Sequence, residues 1–224
     1  MGHSCSFPDE LKRKICLDEP LSFFPAEESD LIISLGGDGA LLAAGQIAIK
    51  ADKPLVGINA GRVGYLCAMK FEDLADFDSL IQNCRKINCT LLQVDFEGKR
   101  HYALNDVIIG KTNFGKTVDL SVYVKDKLLF HVRGDGLIVT TPTGSTAYNR
   151  SAGGPVIEEE VKAIGITSIC ANVANPPYVV SDCSEVIVKV NHEDAGIYVD
   201  SNFLGKYPDE LLIKKADKTL TLLK

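Results

Sequence analysis

Apolar residues in the first third of the chain form short unbroken runs that end in small-residue loops. The run at residues 30–35 ends at a glycine pair, the pattern of a buried strand in a parallel sheet. Residues 39–51 are rich in Ala, Leu and Ile and lack proline, which favours a helix. Residues 54–59 form a second apolar run, which leads into the loop at residues 60–64, and residues 71–84 favour another helix. This order predicts one half of an α/β domain.

After about residue 90 the pattern changes to alternation, in which every second residue is apolar. Two clear examples are Val118, Leu120, Val122 and Val124, and then Val186, Val188 and Val190. Alternation of this kind predicts strands of a mostly antiparallel sheet. We therefore expect an α/β domain at residues 1–88 and a β-rich domain at residues 89–224, with ligands bound at the junction between them.

Composition narrows the classes of partner. The chain has 224 residues, 46% of them hydrophobic and 24% charged, which is typical of a globular protein. A formal charge of −6 gives no general attraction for nucleic acid or for an anionic membrane surface. No apolar run approaches the roughly 20 residues that cross a bilayer, and the first residues lack a secretory pattern. We expect a cytoplasmic protein with no nucleic-acid or membrane partner.

The cysteines and histidines show no metal-binding spacing. Seven cysteines are scattered without a C-x-x-C pair, and four histidines lack the i, i+3 or i+4 spacing of a zinc helix. This predicts reduced, structural thiols and no protein-bound metal site.

Gly36-Gly37-Asp38-Gly39 lies where a parallel strand leads into a helix N-terminus. Free backbone amides and the helix dipole attract phosphate there, and glycines allow close approach. Asp38 would repel phosphate, but it could take a proton from an attacking hydroxyl. A tight turn with Asp38 as the helix N-cap explains the same residues equally well.

Residues 110–117 match the P-loop pattern G-x-x-x-x-G-K-[ST] letter for letter. A working P-loop leads into a helix, whereas residues 118–124 alternate as a strand. We therefore predict two strands joined by a polar turn and no P-loop.

A hydroxyl-rich segment follows the apolar residues 137–139. It carries five hydroxyls between Thr140 and Thr146 and continues through Tyr148 and Arg150 to Pro155. We expect residues 140–155 to join the glycine loop in a phosphotransferase site, with a helix starting in residues 146–151; the alternative is a solvated surface loop.

Asn105-Asp106 stands before another apolar run. The pair could bind a ligand or form an ordinary Asx turn.

Together with residues 59–66 and 135–155, these motifs resemble the NAD kinases, in register from about residue 28 to residue 154. The resemblance implies a Rossmann-like α/β domain followed by a β-sandwich. It implies transfer of the γ-phosphoryl group of ATP, or of polyphosphate, to the 2′-hydroxyl of the adenosine ribose of NAD. Mg²⁺ or another divalent cation would accompany the phosphates, and homodimers or homotetramers would complete the NAD site.

The resemblance also assigns roles to individual residues. Asp38 matches the catalytic base. The residues that match dinucleotide- or phosphate-binding positions are Gly36, Gly37, Gly39, Tyr65, Asn105, Asp106, Arg133, Asp135, Thr143, Thr146, Ala147, Tyr148, Ser151 and Cys170.

Three positions depart from the family pattern. Ala40 replaces a threonine, Asp106 replaces a glutamate that is one methylene longer, and Asp200-Ser201 replaces Asp-Gly. Two other functions therefore stay open. A non-catalytic NAD or NADP sensor would explain the departures, and a lipid kinase of the diacylglycerol type shares the Gly-Gly-Asp-Gly loop but lacks the run at residues 143–148.

Overall fold

The computed structural model describes residues 25–60, 64–191 and 195–224. The chain divides into two compact units. The described part of Met1–Ile87 forms the first together with Leu220–Lys224, and Asn88–Thr219 form the second.

The first unit is a parallel α/β arrangement. Its regular elements, after a 3-10 turn at Ala26–Glu28, are β1 (Ile32–Gly36), α1 (Asp38–Ala51), β2 (Leu55–Asn59), β3 (Met69–Lys70) and α2 (Phe77–Asn83). β2 pairs in parallel with β1 and with β3, which confirms the predicted strand, loop, helix, strand order. The helix expected over residues 71–84 begins as a 3-10 helix at Phe71–Asp76 and becomes α-helical only in α2.

Apolar side chains of β2 and α2 form the core of this unit. Val56 and Ile58 are fully buried or nearly so, and Phe77 and Leu80 of α2 pack against them. The end of the chain joins the same sheet, because Leu222 pairs in parallel with Leu55. The unit therefore needs residues from both ends of the sequence.

The second unit is built from strands. In chain order they are β4 (Lys86–Phe96), β5 (Lys99–Ala103), β6 (Asp106–Lys111), β7 (Val118–Val124), β8 (Lys127–Gly134), β9 (Gly136–Thr140), β10 (Ala163–Ile169), β11 (Tyr178–Ser181), β12 (Val186–Val190), β13 (Ala195–Val199), β14 (Asn202–Lys206) and β15 (Glu210–Leu223). A 3-10 helix (Thr143–Thr146) and the single-turn helix α3 (Tyr148–Ser151) follow β9.

Two antiparallel layers share one core. One layer has the order β11-β10-β9-β6-β13-β14, and in the other β12 pairs with β7 and β15 while β7 pairs with β8. Val107 and Leu137 from the first layer and Leu120 and Val188 from the second have no exposed surface and belong to a single hydrophobic cluster. The structure thus confirms the expected β-sandwich and the burial of the alternating apolar positions.

The chain crosses from one layer to the other at two neighbouring places, between β6 and β7 and between β8 and β9. Gly110 pairs with Gly136 in one layer and Val118 with Gly134 in the other, so the two crossings lie side by side. The P-loop-like residues 110–117 form the first crossing, and a strand follows them. The predicted absence of a P-loop is confirmed, although the two strands lie in different layers.

No helix among the described residues is long and apolar enough to span a membrane.

The turn between β13 and β14 places two side-chain-bearing residues in the left-handed region. Val199 pairs with Asn202 across it, with φ of 45° at Asp200 and 68° at Ser201. Such two-residue turns favour glycine at the second position, where the family pattern has it.

We predict that Ser201→Gly raises the free energy of unfolding by about 0.5–1 kcal/mol, because glycine adopts positive φ without steric cost. Urea unfolding measures the change. Ser168→Gly in β10, where φ is not positive, is the matched control and should lower stability by a similar amount. A Ser201→Gly protein no more stable than the parent would contradict the turn assignment.

Candidate active site

The glycine loop between β1 and α1 is shaped by close packing. Gly36 has φ of 145°, and a Cβ there would stand 2.7 Å from the Cβ of Ala40. Gly37 is the N-cap residue of α1, and a Cβ on Gly39 would meet nothing within 4 Å. The loop therefore presents open backbone at the start of a 14-residue helix.

Asp38 is the first residue of α1, and its side chain makes no cap hydrogen bond. Its carboxylate instead accepts the backbone N–H of Tyr65 at 3.2 Å and that of Leu66 at 3.1 Å. The N-cap alternative is therefore wrong. Because each carboxylate oxygen has two lone pairs, Asp38 can still accept a hydrogen bond from a ligand.

The surroundings of Asp38 include Cys67 and Tyr65. Burial, and then the charge of Asp38, raises the pKa of the Cys67 thiol, which lies 3.8 Å from the carbonyl oxygen of Gly36. Tyr65 is 61% exposed, so its ring is open to a ligand. Residues 61–63 of the predicted loop at residues 60–64 lie outside the described part of the chain.

In the second unit, Asn105 and Asp106 are fixed by a carboxylate from a distant turn. Asp200 accepts the backbone N–H of Leu104 at 2.8 Å, of Asn105 at 2.7 Å and of Asp106 at 3.3 Å. The Asx-turn alternative is therefore not what fixes these residues. Asp200 is a residue of this site that sequence reasoning missed, and the family's Asp-Gly pattern was the signal for it.

The side chains of Asn105 and Asp106 are in unusual environments. Burial, and then the charge of Asp200, raises the pKa of Asp106 to about 7. Asn105 Oδ1 is buried and has no hydrogen-bond partner among the described residues. A buried acceptor of this kind costs free energy unless a ligand supplies a donor.

Most hydroxyls of residues 140–146 point inward and bind the backbone. Thr140 Oγ1 donates to the carbonyl oxygen of Asn105 at 3.1 Å, and Ser145 Oγ donates to that of Pro142 at 2.6 Å. A Cβ on Gly144 would lie 2.1 Å from the carbonyl oxygen of Asn105, so only glycine fits there. Thr143 is 7% exposed. The count of five hydroxyls therefore overstated the number available to a ligand.

The exposed face of this segment is formed by the residues that follow. Thr146 is partly buried, and Ala147, Tyr148 and Ser151 are exposed. The expected helix over residues 146–151 is only the four-residue α3. Its brevity leaves no extended helix N-terminus for a second anion.

Asp135 lies at the crossing between β8 and β9, flanked by glycines that the packing requires. A Cβ on Gly134 would stand 2.7 Å from the carbonyl oxygen of Cys170, and one on Gly136 would stand 2.4 Å from that of Ile109. Cys170 is exposed and has φ of 45°. Arg133, two residues before Asp135, is an exposed residue of β8.

Lys111 was passed over with the P-loop-like segment, yet its ammonium lies 2.6 Å from Asp135 Oδ1. Tyr148 is influenced by the same charges. Its pKa is raised first by burial and then by electrostatic interaction with Cys170, Asp135 and Asp106, whereas the interaction with Lys111 lowers it. The structure therefore brings Asp106, Asp135, Tyr148 and Cys170 together in the second unit, and Gly36, Gly37, Asp38, Gly39 and Tyr65 together in the first.

The described residues contain no group of three or more His, Cys, Asp or Glu side chains that could hold a metal ion. Five of the seven cysteines are described, and none of these five forms a disulfide. The histidines at positions 3 and 192 and the cysteines at positions 5 and 16 lie outside the described residues.

The raised pKa of Asp106 predicts a pH-dependent effect of Asp106→Asn. The folded-state pKa of about 7 exceeds the unfolded value, so the stability that this carboxyl contributes is fully present below about pH 4 and is lost as pH rises through 7. Relative to the parent, Asp106→Asn should gain stability between pH 5 and pH 8, on the order of a few kcal/mol. Urea unfolding at both pH values measures this. Asp126→Asn, in an exposed turn, controls for the loss of one charge. An equal difference at both pH values would show that Asp106 is not perturbed.

Comparison with known proteins places both units in one family. The family model of the ATP-NAD kinase N-terminal domain matches residues 18–85, and that of the ATP-NAD kinase C-terminal domain matches residues 104–222. The NAD kinase of Thiobacillus denitrificans is 34% identical over 88% of this chain and 72% of its own length. The NAD kinase of Carboxydothermus hydrogenoformans is 36% identical over 85% of this chain and 72% of its own.

Solved structures agree. The crystal structure of an NAD kinase from Archaeoglobus fulgidus in complex with ATP superposes with a TM-score of 0.81 at 29% identity, covering 96% of this chain and 86% of that one. From the matches to both domain models and to relatives of which it covers more than two thirds, we conclude that the chain belongs to the NAD kinase family.

Proposed function

We propose that the protein is an NAD kinase, which transfers the γ-phosphoryl group of ATP to the 2′-hydroxyl of the adenosine ribose of NAD and yields NADP and ADP. The observation that carries the proposal is the position of Asp38. Its carboxylate starts α1 beside an open glycine loop and is oriented by two backbone amides. Membership of the NAD kinase family indicates NAD as the acceptor and ATP as the donor of the phosphoryl group.

In this reaction Asp38 would take the proton of the 2′-hydroxyl as its oxygen bonds to the γ-phosphorus and the bond to ADP breaks. Phosphoryl transfer depends chiefly on positioning and charge stabilisation, so one oriented carboxylate suffices as the base. The amides at the start of α1 and the open backbone of Gly39 suit the donor phosphates. Inorganic polyphosphate presents the same phosphate chemistry and is the alternative donor.

The described residues fit a divalent cation carried by the donor. Mg²⁺ would be bound mainly by phosphate oxygens of the donor and by water, because it keeps several waters and usually takes only one or two carboxylates from a protein. Such a cation would neutralise the phosphates. Asp38 is the carboxylate of the first unit that would lie beside it.

The dinucleotide would bind through the second unit. Asn105 Oδ1, buried and without a partner among the described residues, is suited to accept a ribose hydroxyl. The partly buried Thr146 and the exposed Ala147, Tyr148 and Ser151 would contact the rest of NAD, together with Asp106, Arg133, Asp135 and Cys170. We propose that the domains at residues 1–88 and 89–224 act together in this way, in a homodimer or homotetramer.

We predict that Asp38→Asn lowers kcat for NADP formation by about 10²–10⁴-fold and changes NAD affinity only slightly. Asparagine removes the base, and its NH₂ group also faces one of the two backbone amides that the carboxylate accepts. Steady-state assays with NAD, ATP and Mg²⁺, combined with NAD titration, measure both quantities.

Asp52→Asn is the matched control, because it removes the same charge at the other end of α1. It should retain parental activity. Near-normal turnover by Asp38→Asn would refute its role as base. A parent protein that binds NAD but forms no NADP would instead support the non-catalytic sensor, for which Ala40 is the favouring observation because it offers no hydroxyl beside the glycine loop.

A further inference from the structure

The pair of Lys111 and Asp135 is more than a surface ion pair. The Lys111 side chain is 18% exposed and that of Asp135 is 35% exposed, and the ammonium also lies 3.4 Å from the carbonyl oxygen of Phe114. The backbone N–H of Lys111 donates to the carbonyl oxygen of Asp135 at 3.0 Å. Both residues lie where the chain crosses between layers, so their approach is fixed by the backbone.

The second unit's candidate site contains two further carboxyl groups. Asp106 and Asp200 are each 4% exposed, and Asp106 keeps a proton more readily because it is buried beside Asp200. Asp135 and Asp106 both act electrostatically on Tyr148, and Lys111 acts on it with the opposite sign. The ammonium of Lys111 therefore neutralises the carboxylate of Asp135, and both charges act on Tyr148, one of the residues assigned to the dinucleotide.

The two redox forms of the dinucleotide differ in how they respond to such charges. They share the same pyrophosphate, but the oxidised nicotinamide is a cation and the reduced one is neutral. NADH is therefore one unit more negative than NAD. A site that gains one negative charge disfavours NADH more strongly than NAD.

We propose that Lys111 is a specificity-determining residue, which neutralises Asp135 and thereby allows the site to accept the reduced as well as the oxidised dinucleotide. The proposal rests on the proposed NAD kinase function and adds a basis for the choice between the two redox forms. It predicts that the selectivity ratio, kcat/KM for NAD divided by kcat/KM for NADH, follows the net charge of the pair.

The test measures this ratio with ATP and Mg²⁺ for the full chain and its variants. Lys111→Met should raise the ratio about three- to tenfold, the effect of one unit charge at a partly screened distance of about 6–10 Å. Asp135→Asn removes the opposite charge and should lower it. The double variant Lys111→Met/Asp135→Asn should return close to the parental ratio, and Lys111→Arg, which keeps the charge, should leave the ratio unchanged.

Lys127→Met is the matched control. Lys127 is exposed at the opposite end of the β7–β8 hairpin, where it pairs with Val124, whereas Gly134 next to Asp135 pairs with Val118. Its loss changes net charge equally and should not change the ratio.

The outcomes distinguish a failure of the proposed function from a failure of the proposed role of Lys111. A parental protein that forms no NADP or NADPH would refute the proposed function itself. An active parent whose ratio is the same in Lys111→Met and in Asp135→Asn would overturn only the role of Lys111. If Lys111→Met folds poorly, Asp135→Asn and the double variant still test the role of Lys111. If the ion pair were purely structural, its loss would lower kcat/KM for NAD and for NADH alike and would leave their ratio unchanged.

Discussion

The carboxylate of Asp200 fixes the residues on which the second unit's candidate site depends. It accepts three consecutive backbone N–H groups, from Leu104 to Asp106, and its own N–H donates to the carbonyl oxygen of Asp106 at 3.1 Å. Hydrogen bonds to a charged, buried acceptor are stronger than neutral ones. The turn between β13 and β14 therefore holds the start of β6 in one conformation.

That conformation in turn positions the hydroxyl-rich segment. The carbonyl oxygen of Asn105 accepts both the N–H of Thr141 and the hydroxyl of Thr140, and Gly144 packs directly against it. Asp200 thus fixes the position of Asn105, and Asn105 in turn fixes the residues before Tyr148. A change at Asp200 would therefore disturb Asn105 and the residues that pack against it.

Local sequence patterns predicted the features whose partners are close in sequence. The glycines of the β1–α1 loop, the alternating strands and the strand after the P-loop-like segment all follow from neighbours within a few residues. Asp200 and Leu104 are 96 residues apart, so no local pattern links them. The inward hydroxyl of Thr140 was missed for the same reason, because its acceptor, the carbonyl oxygen of Asn105, lies 35 residues away. Lys111 was missed because rejecting the P-loop removed the whole segment at residues 110–117 from consideration.

Three carboxylates among the candidate residues of the two units are stabilised in three different ways. Two backbone amides donate to the carboxylate of Asp38. This carboxylate is partly exposed and can accept a hydrogen bond from a further donor. The ammonium of Lys111 neutralises the charge of the Asp135 carboxylate. Asp106 has neither and is buried beside Asp200, so the charged form of its carboxyl is disfavoured near neutral pH. The family pattern has a glutamate, one methylene longer, at this position. In this chain the carboxyl of Asp106 is buried beside the like charge of Asp200, which raises its pKa.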